Sequence, residues 1–340
     1  MKFILDTLII FRQYKIRKNV QVNSGFTLIE LMVGLVMSSI IITTLLGFMI
    51  NVMETDRREQ AKIKSEQEIQ AALEYISRDL QQAFYIYDAQ GIEAIKNQLP
   101  APPRGIDRVP VLVFWQRELI TNVLPVSGRG KNDTFVYSLV VYFLMQDTNT
   151  SNSNWSKIAR IGRWEIRDGV LANIADEKTI SCNGYPGKYV KGSSSQPNEY
   201  CPSNGFAPFD INGKGTIKEI MNAWQKGSNA YTANTLVLVD YIDQTTNNPP
   251  PAICPPNSTN PNITWSKVTP DSFNTTTTKT GKMTSFYACV DSLNTTAQIF
   301  IRGNALARLN HHVGIDYSKD QKTYFPTANI KVKGRGYLYK

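Results

Sequence analysis

Histidine is almost missing from this sequence: two residues in 340, His311 and His312, and they are adjacent. Adjacent side chains point apart, so a Ser or Cys nucleophile finds at most one base and nothing to orient it. Cysteine is sparse as well, with four residues and none of the short pairs a structural zinc site uses. Acidic residues are scattered, without a dense calcium-type loop. Gly213-Lys-Gly215-Thr216 and Gly187-Lys188 are fragments of a phosphate loop, but neither completes the Gly-x-x-x-x-Gly-Lys-Ser/Thr pattern, and both read as turns. These absences argue against an enzyme: no catalytic residue, cofactor or metal site is expected.

Charge is missing where it matters most. Between Phe26 and Ile50 the only ionisable side chain is Glu30, in an apolar run long enough to cross a bilayer. A carboxylate inside such a helix costs about 2.5 to 3.5 kcal/mol on insertion scales, so something must offset it. Two readings stand. If the chain is cut after Gly25, Phe26 gains an ammonium group one turn from the carboxylate, and in a packed bundle that group pairs with Glu30 of a neighbouring subunit. Otherwise the helix is an uncleaved anchor whose carboxylate snorkels to the interface.

The residues before Gly25 have the character of a cytoplasmic leader. Lys2, Arg12, Lys15, Arg17 and Lys18 stand against Asp6 alone, which by the positive-inside rule keeps this end in the cytoplasm and exports the remainder. A conventional signal peptide is cut after its apolar segment. Here the Gly precedes that segment, so the helix is retained. The run Phe3 to Phe11 is too short to span a bilayer and reads as part of a long leader. Without the leader, about +5 remains of the formal charge of +9, too dispersed to argue for nucleic acid.

Gly25-Phe-Thr-Leu-Ile-Glu30 closely resembles the processing site of type IV pilins and pseudopilins, position for position. The resemblance implies cleavage after Gly25 by a prepilin peptidase, methylation of the new Phe26 amino group, and a role for Glu30 in docking the subunit into a filament. Many major pilins carry a helix-kinking Pro where this chain has Gly47, which favours a minor pilin or pseudopilin. Thr55 to Ala83 and Ile299 to Arg308 are similar to cyanobacterial pseudopilins of hormogonium polysaccharide secretion. They are more distantly similar to PilW-type minor pilins and J-type pseudopilins of type II secretion. The partners implied are the peptidase, other pilins or pseudopilins, the inner-membrane assembly platform, the membrane itself and polysaccharide.

Beyond the membrane run, Ile69, Leu73, Ile76, Leu80 and Phe84 recur at three- and four-residue intervals, which predicts an amphipathic helix over 51–85. From Phe26 to Tyr85 one helix would measure about 90 Å. After the Pro- and Gly-rich stretch 100–105 the apolar period shifts towards that of strands. Val109–Trp115, Thr134–Met145, Lys157–Arg167, Thr235–Ile242, Thr284–Val290 and Ala297–Ile301 read as an antiparallel sheet. Polar stretches 183–212 and 244–280 between them read as surface insertions.

The even cysteine count in an exported domain predicts two disulfides. Three connectivities are open; the sequential one, Cys182 to Cys201 and Cys254 to Cys289, closes two loop-rich segments and is preferred. The aromatics Tyr185, Tyr189, Tyr200, Phe206, Phe209 and Trp265 either form a partner-binding face or cap the core.

The expected fold is therefore α+β, pilin-like: a leader over 1–25, a membrane or filament-core helix over 26–50, its amphipathic continuation over 51–85, and a β-rich extracytoplasmic head over 86–340. Two functions remain. One is an assembly subunit that initiates or tips a pilus-like filament serving polysaccharide secretion and gliding. The other is an inner-membrane-anchored protein whose loops bind glycan or another surface ligand.

Overall fold

The computed structural model describes residues 25–126, 130–148, 155–172, 178–256, 263–273, 278–310 and 315–336. Residues 1–24 of the expected leader 1–25, and both histidines, lie outside them. The chain divides into two units, Met1–Thr55 and Asp56–Lys340.

Helix α1 spans Leu28–Gln81, with its first part in the first unit and its last part in the second. In the first unit its apolar side chains are all exposed, and the helix passes through Gly47 without a break. In the second unit Ile69, Ala72, Leu73, Ile76 and Leu80 are buried, as the spacing predicts. The helix stops four residues short of the expected Tyr85. Ala83–Ile86 is instead strand β1, paired antiparallel with Phe114–Gln116. Phe84-Tyr-Ile-Tyr87 is a run of aromatic and β-branched residues that fits a buried pleat better than a helix. Phe84 therefore leaves the helical stripe and packs edge-on against Tyr137 at 5.4 Å.

After β1 comes a short helix, α2 (Ala89–Ile95), capped by Asp88, whose carboxylate accepts from Gly91 N at 2.8 Å. A long hairpin follows, β2 (Ile106–Pro125) and β3 (Lys131–Asp147), then β4 (Ala159–Arg167), a small ribbon β5 (Thr179–Ile180) with β6 (Tyr189–Val190), α3 (Ile217–Asn222) and β7 (Leu236–Ile242). The main sheet is antiparallel in the order β1-β2-β3-β4-β7. The remaining elements are β8 (Ser266–Val268), β9 (Phe286–Asp291), β10 (Thr296–Arg302), α4 (Ala305–Asn310) and β11 (Thr327–Lys333). They contribute a second antiparallel sheet, β11-β10-β9-β8. One sheet was expected; among the described residues there are two larger sheets and the β5–β6 ribbon. Strand propensity identifies extended segments but says nothing of which edges meet, and Ile242 and Gly303 share only an isolated bridge.

The main sheet is covered on both faces. On one, Tyr142 stacks on Phe114 and donates its hydroxyl to Asp79 of α1 at 2.7 Å, while Arg163 Nε reaches the same carboxylate at 2.6 Å. On the other, Trp115 meets Phe206, Phe209 and Trp224 edge-on at 5.2 to 6.0 Å. Successive residues of a strand face opposite sides, so Phe114 and Trp115 divide the two layers between them. The helix also approaches the second sheet closely. A Cβ on Gly303 would lie 2.5 Å from Ile69 Cδ1 and 2.8 Å from Ser65 Oγ.

The segments read as surface insertions are partly core. Stretch 183–212 contributes Phe206 and Phe209 to the main cluster. Gln244 and Thr245 of the second stretch are buried, with Gln146 Nε2 donating to Gln244 Oε1 at 3.0 Å. Thr245 is satisfied there by Asp243 Oδ1, which accepts from its N and its hydroxyl, whereas Gln244 Nε2 is buried without a partner among the described residues. Cys182 is bonded to Cys201 and Cys254 to Cys289, the sequential arrangement, and no free cysteine occurs among the described residues.

Candidate assembly site at the N-terminal helix

The Gly25–Glu30 segment is a helix start. Thr27 O accepts from Leu31 N at 3.2 Å, the first bond of the helical ladder. Thr27 Oγ1 accepts from Glu30 N at 3.3 Å, and Glu30 Oε2 in turn accepts from Thr27 N at 3.2 Å and from the Thr27 hydroxyl at 3.0 Å. This is a reciprocal capping box, in which two helix-terminal N–H groups that have no intrahelical partner are satisfied by side chains. The carboxylate also sits at the positive end of the helix dipole. Glu30 therefore has a local role in the helix start, beside the intersubunit pairing expected of it from the sequence. The Thr-x-x-Glu spacing was legible in the sequence, and the role of Thr27 is the functional residue that sequence reasoning missed.

Beyond Glu30 the helix presents an apolar surface. Each hydroxyl between Leu28 and Ile50 is turned back onto the helix: Ser38 donates to Leu35 O, Ser39 to Val36 O, Thr43 to Ser39 O and Thr44 to Ile41 O, at 2.7 to 2.9 Å. A polar group satisfied within its own helix can enter hydrocarbon at little cost. Phe26 is 84% exposed, and Leu28, Ile29, Leu31 and Met32 follow it in the same state. Surface of this kind does not remain in water. The helix is long and apolar enough to cross a membrane.

The other sequence candidates resolve as follows. Thr216, in the first phosphate-loop fragment, is the N-cap of α3 and shares a capping box with Glu219. Lys188 of the second donates to Ser181 Oγ at 2.8 Å. Among the described residues no group of three or more His, Cys, Asp or Glu is placed to hold a metal. The insertion aromatics mostly cap the core: Phe206 and Tyr189 are buried, Phe209 packs on the main cluster and Tyr200 on a smaller one. Tyr185 donates to Ser203 O at 2.6 Å, and Lys331 Nζ sits over the Trp265 ring, 4.9 Å from its centroid.

Residues 21–46 match the prokaryotic N-terminal methylation motif. The match supports a type IV pilin-like protein, and the motif implies processing by a prepilin peptidase and assembly with other pilins. Together with the apolar helix it fits a single-pass membrane-anchored protein. No curated protein and no solved structure gives a match to the chain.

Proposed function

We propose that the chain is a minor pilin or pseudopilin that initiates or tips a pilus-like filament serving polysaccharide secretion and gliding motility. It is processed after Gly25, methylated on Phe26, and held in the filament through Glu30. The observation that carries this reading is the complete Gly25–Glu30 motif at the start of a helix whose next twenty residues expose only apolar or internally satisfied groups. The leader, residues 1–25, stays in the cytoplasm until it is removed, residues 26–50 enter the inner membrane and then the filament core, and the head faces outward. Type IV pilin-like proteins are structural, and the chain acts by assembly rather than by catalysis.

Mass spectrometry of the N-terminus of envelope-purified protein tests the processing. The expected species begins with N-methylated Phe26; an intact Met1 terminus in assembled material would overturn the proposal. Loss of secreted polysaccharide and of gliding on deletion of the gene, with both restored by the wild-type chain, tests the process served.

A further inference from the structure

The β5–β6 ribbon sets two like charges face to face. Its register pairs Thr179 with Val190 and Ile180 with Tyr189, and Lys191 N donates to Lys178 O at 2.8 Å, so Lys178 and Lys191 occupy the next cross-strand position. Like charges directly opposite on an antiparallel pair are destabilising. A third lysine, Lys131, opens β3 beside Pro125 and joins them around a pocket of about 560 Å³. Among the described residues no ion pair or side-chain hydrogen bond engages any of the three ammonium groups, and no carboxylate lines the pocket. Glu199 lies close by, with Oε2 3.2 Å from where a Cβ on Gly192 would stand, and Asp176 and Glu177, which precede Lys178 in the sequence, lie outside the described residues.

The pocket is built on a firm base. Val123 and Val190 in its wall belong to a small buried cluster with Val136 and Val170, separate from the main core. The Cys182–Cys201 disulfide ties down the segment that carries the ribbon. Its volume falls in the range of about 300 to 1,000 Å³ typical of small-ligand sites. Among the described residues no aromatic ring and no arginine lines it, the groups a single-stranded nucleic acid site uses.

We propose that this pocket binds a compact multivalent anion, whose charges relieve the Lys178–Lys191 opposition and are shared with Lys131. Ser194, also in the lining, adds a neutral hydrogen-bonding residue. Carboxylates on an acidic sugar chain and linked phosphates both supply this chemistry.

The test is calorimetric titration of the full chain in detergent with trigalacturonate, inorganic pyrophosphate and neutral maltotriose, for the wild type and for a Lys131→Gln, Lys178→Gln, Lys191→Gln variant. The expected result is salt-sensitive binding of trigalacturonate or pyrophosphate, with the stronger of the two identifying the source of the charge. Maltotriose should not bind, and the triple variant should lose at least about tenfold in affinity, since three charge-assisted contacts are removed. A second measurement does not need the ligand. Lys178→Gln alone should raise the melting temperature at low salt, and the gain should shrink as salt screens the pair. Absence of binding by both anions, equal binding by the triple variant, or a Lys178→Gln protein no more stable than wild type would overturn the proposal. Processing at Gly25 should be unchanged in these variants, so a failure here is distinguishable from a failure of the assembly reading.

Discussion

Glu30 has two competing explanations, a helix cap and an intersubunit charge, and four chains separate them. Thr27 and Glu30 form the reciprocal box at 3.0 to 3.3 Å. Glu30→Gln retains the box, because Gln serves at that position as Glu does, but removes the charge. Thr27→Val keeps the charge and removes the hydroxyl, at a cost of about 1 kcal/mol of helix start. Glu30→Ala removes both. Loss of the carboxylate should ease membrane insertion by up to about 2.5 to 3.5 kcal/mol, so neither Glu30 variant should be short of membrane-bound protein. The assay compares N-terminal mass spectra, membrane fractions and the amount recovered in sheared filaments or cross-linked assemblies. The expected outcome is that all variants are cut and inserted, that Glu30→Gln and Glu30→Ala are depleted from the assembly, and that Thr27→Val assembles nearly as wild type does. If instead Glu30→Gln assembles normally while Thr27→Val and Glu30→Ala fail, the residue is a cap and the charge argument is wrong. If Glu30→Ala assembles and functions like wild type, neither role matters.

Two further expectations concern the head. The disulfides close loops of different length, with separations of 19 for Cys182–Cys201 and 35 for Cys254–Cys289. By loop-closure entropy these are worth about 3 and about 4 kcal/mol, so a Cys254→Ala, Cys289→Ala protein should show the larger fall in urea midpoint; no fall in either double variant would contradict the pairing. Glu118 has its carboxyl pushed above the usual range, first by burial and then by Glu165. A raised acid favours the folded state while it is protonated and loses that advantage as pH rises through the unfolded and then the folded value. Glu118→Gln should therefore stabilise the head at pH 7, with the difference from wild type vanishing below the unfolded carboxylate range. A variant less stable at neutral pH, or a difference that does not change with pH, would refute the assignment.

How much of this was legible in the sequence depends on whether the information is local. The Gly25–Glu30 site lies in six consecutive residues, and the helical stripe Ile69, Leu73, Ile76, Leu80 repeats at its own period. The strands seen in the sequence, from Val109–Trp115 to Ala297–Ile301, all fall on β2, β3, β4, β7, β9 and β10, because apolar and β-branched runs carry that signal within themselves. The helix end was misplaced for a nonlocal reason. Phe84 continues the stripe one turn beyond Leu80, and only the partner strand at Phe114–Gln116 makes β1 the better use of it. β11 escaped notice because its residues are mostly exposed and only Val332 is buried. Arg160 beside Asp147, and Arg302 with Asp243 at 2.6 Å, are buried ion pairs that look like ordinary surface charges until the chain is folded around them. The lysine pocket belongs to the same class. Lys178 and Lys191 become neighbours only through the register of a two-residue ribbon, and Lys131 joins them only through the hairpin register that sets it opposite Pro125. A processing site read by a peptidase must be linear and so can be found by reading along the chain. A binding pocket has no such constraint: its charges are brought together by strand register, and their mutual repulsion is visible only once the strands are paired.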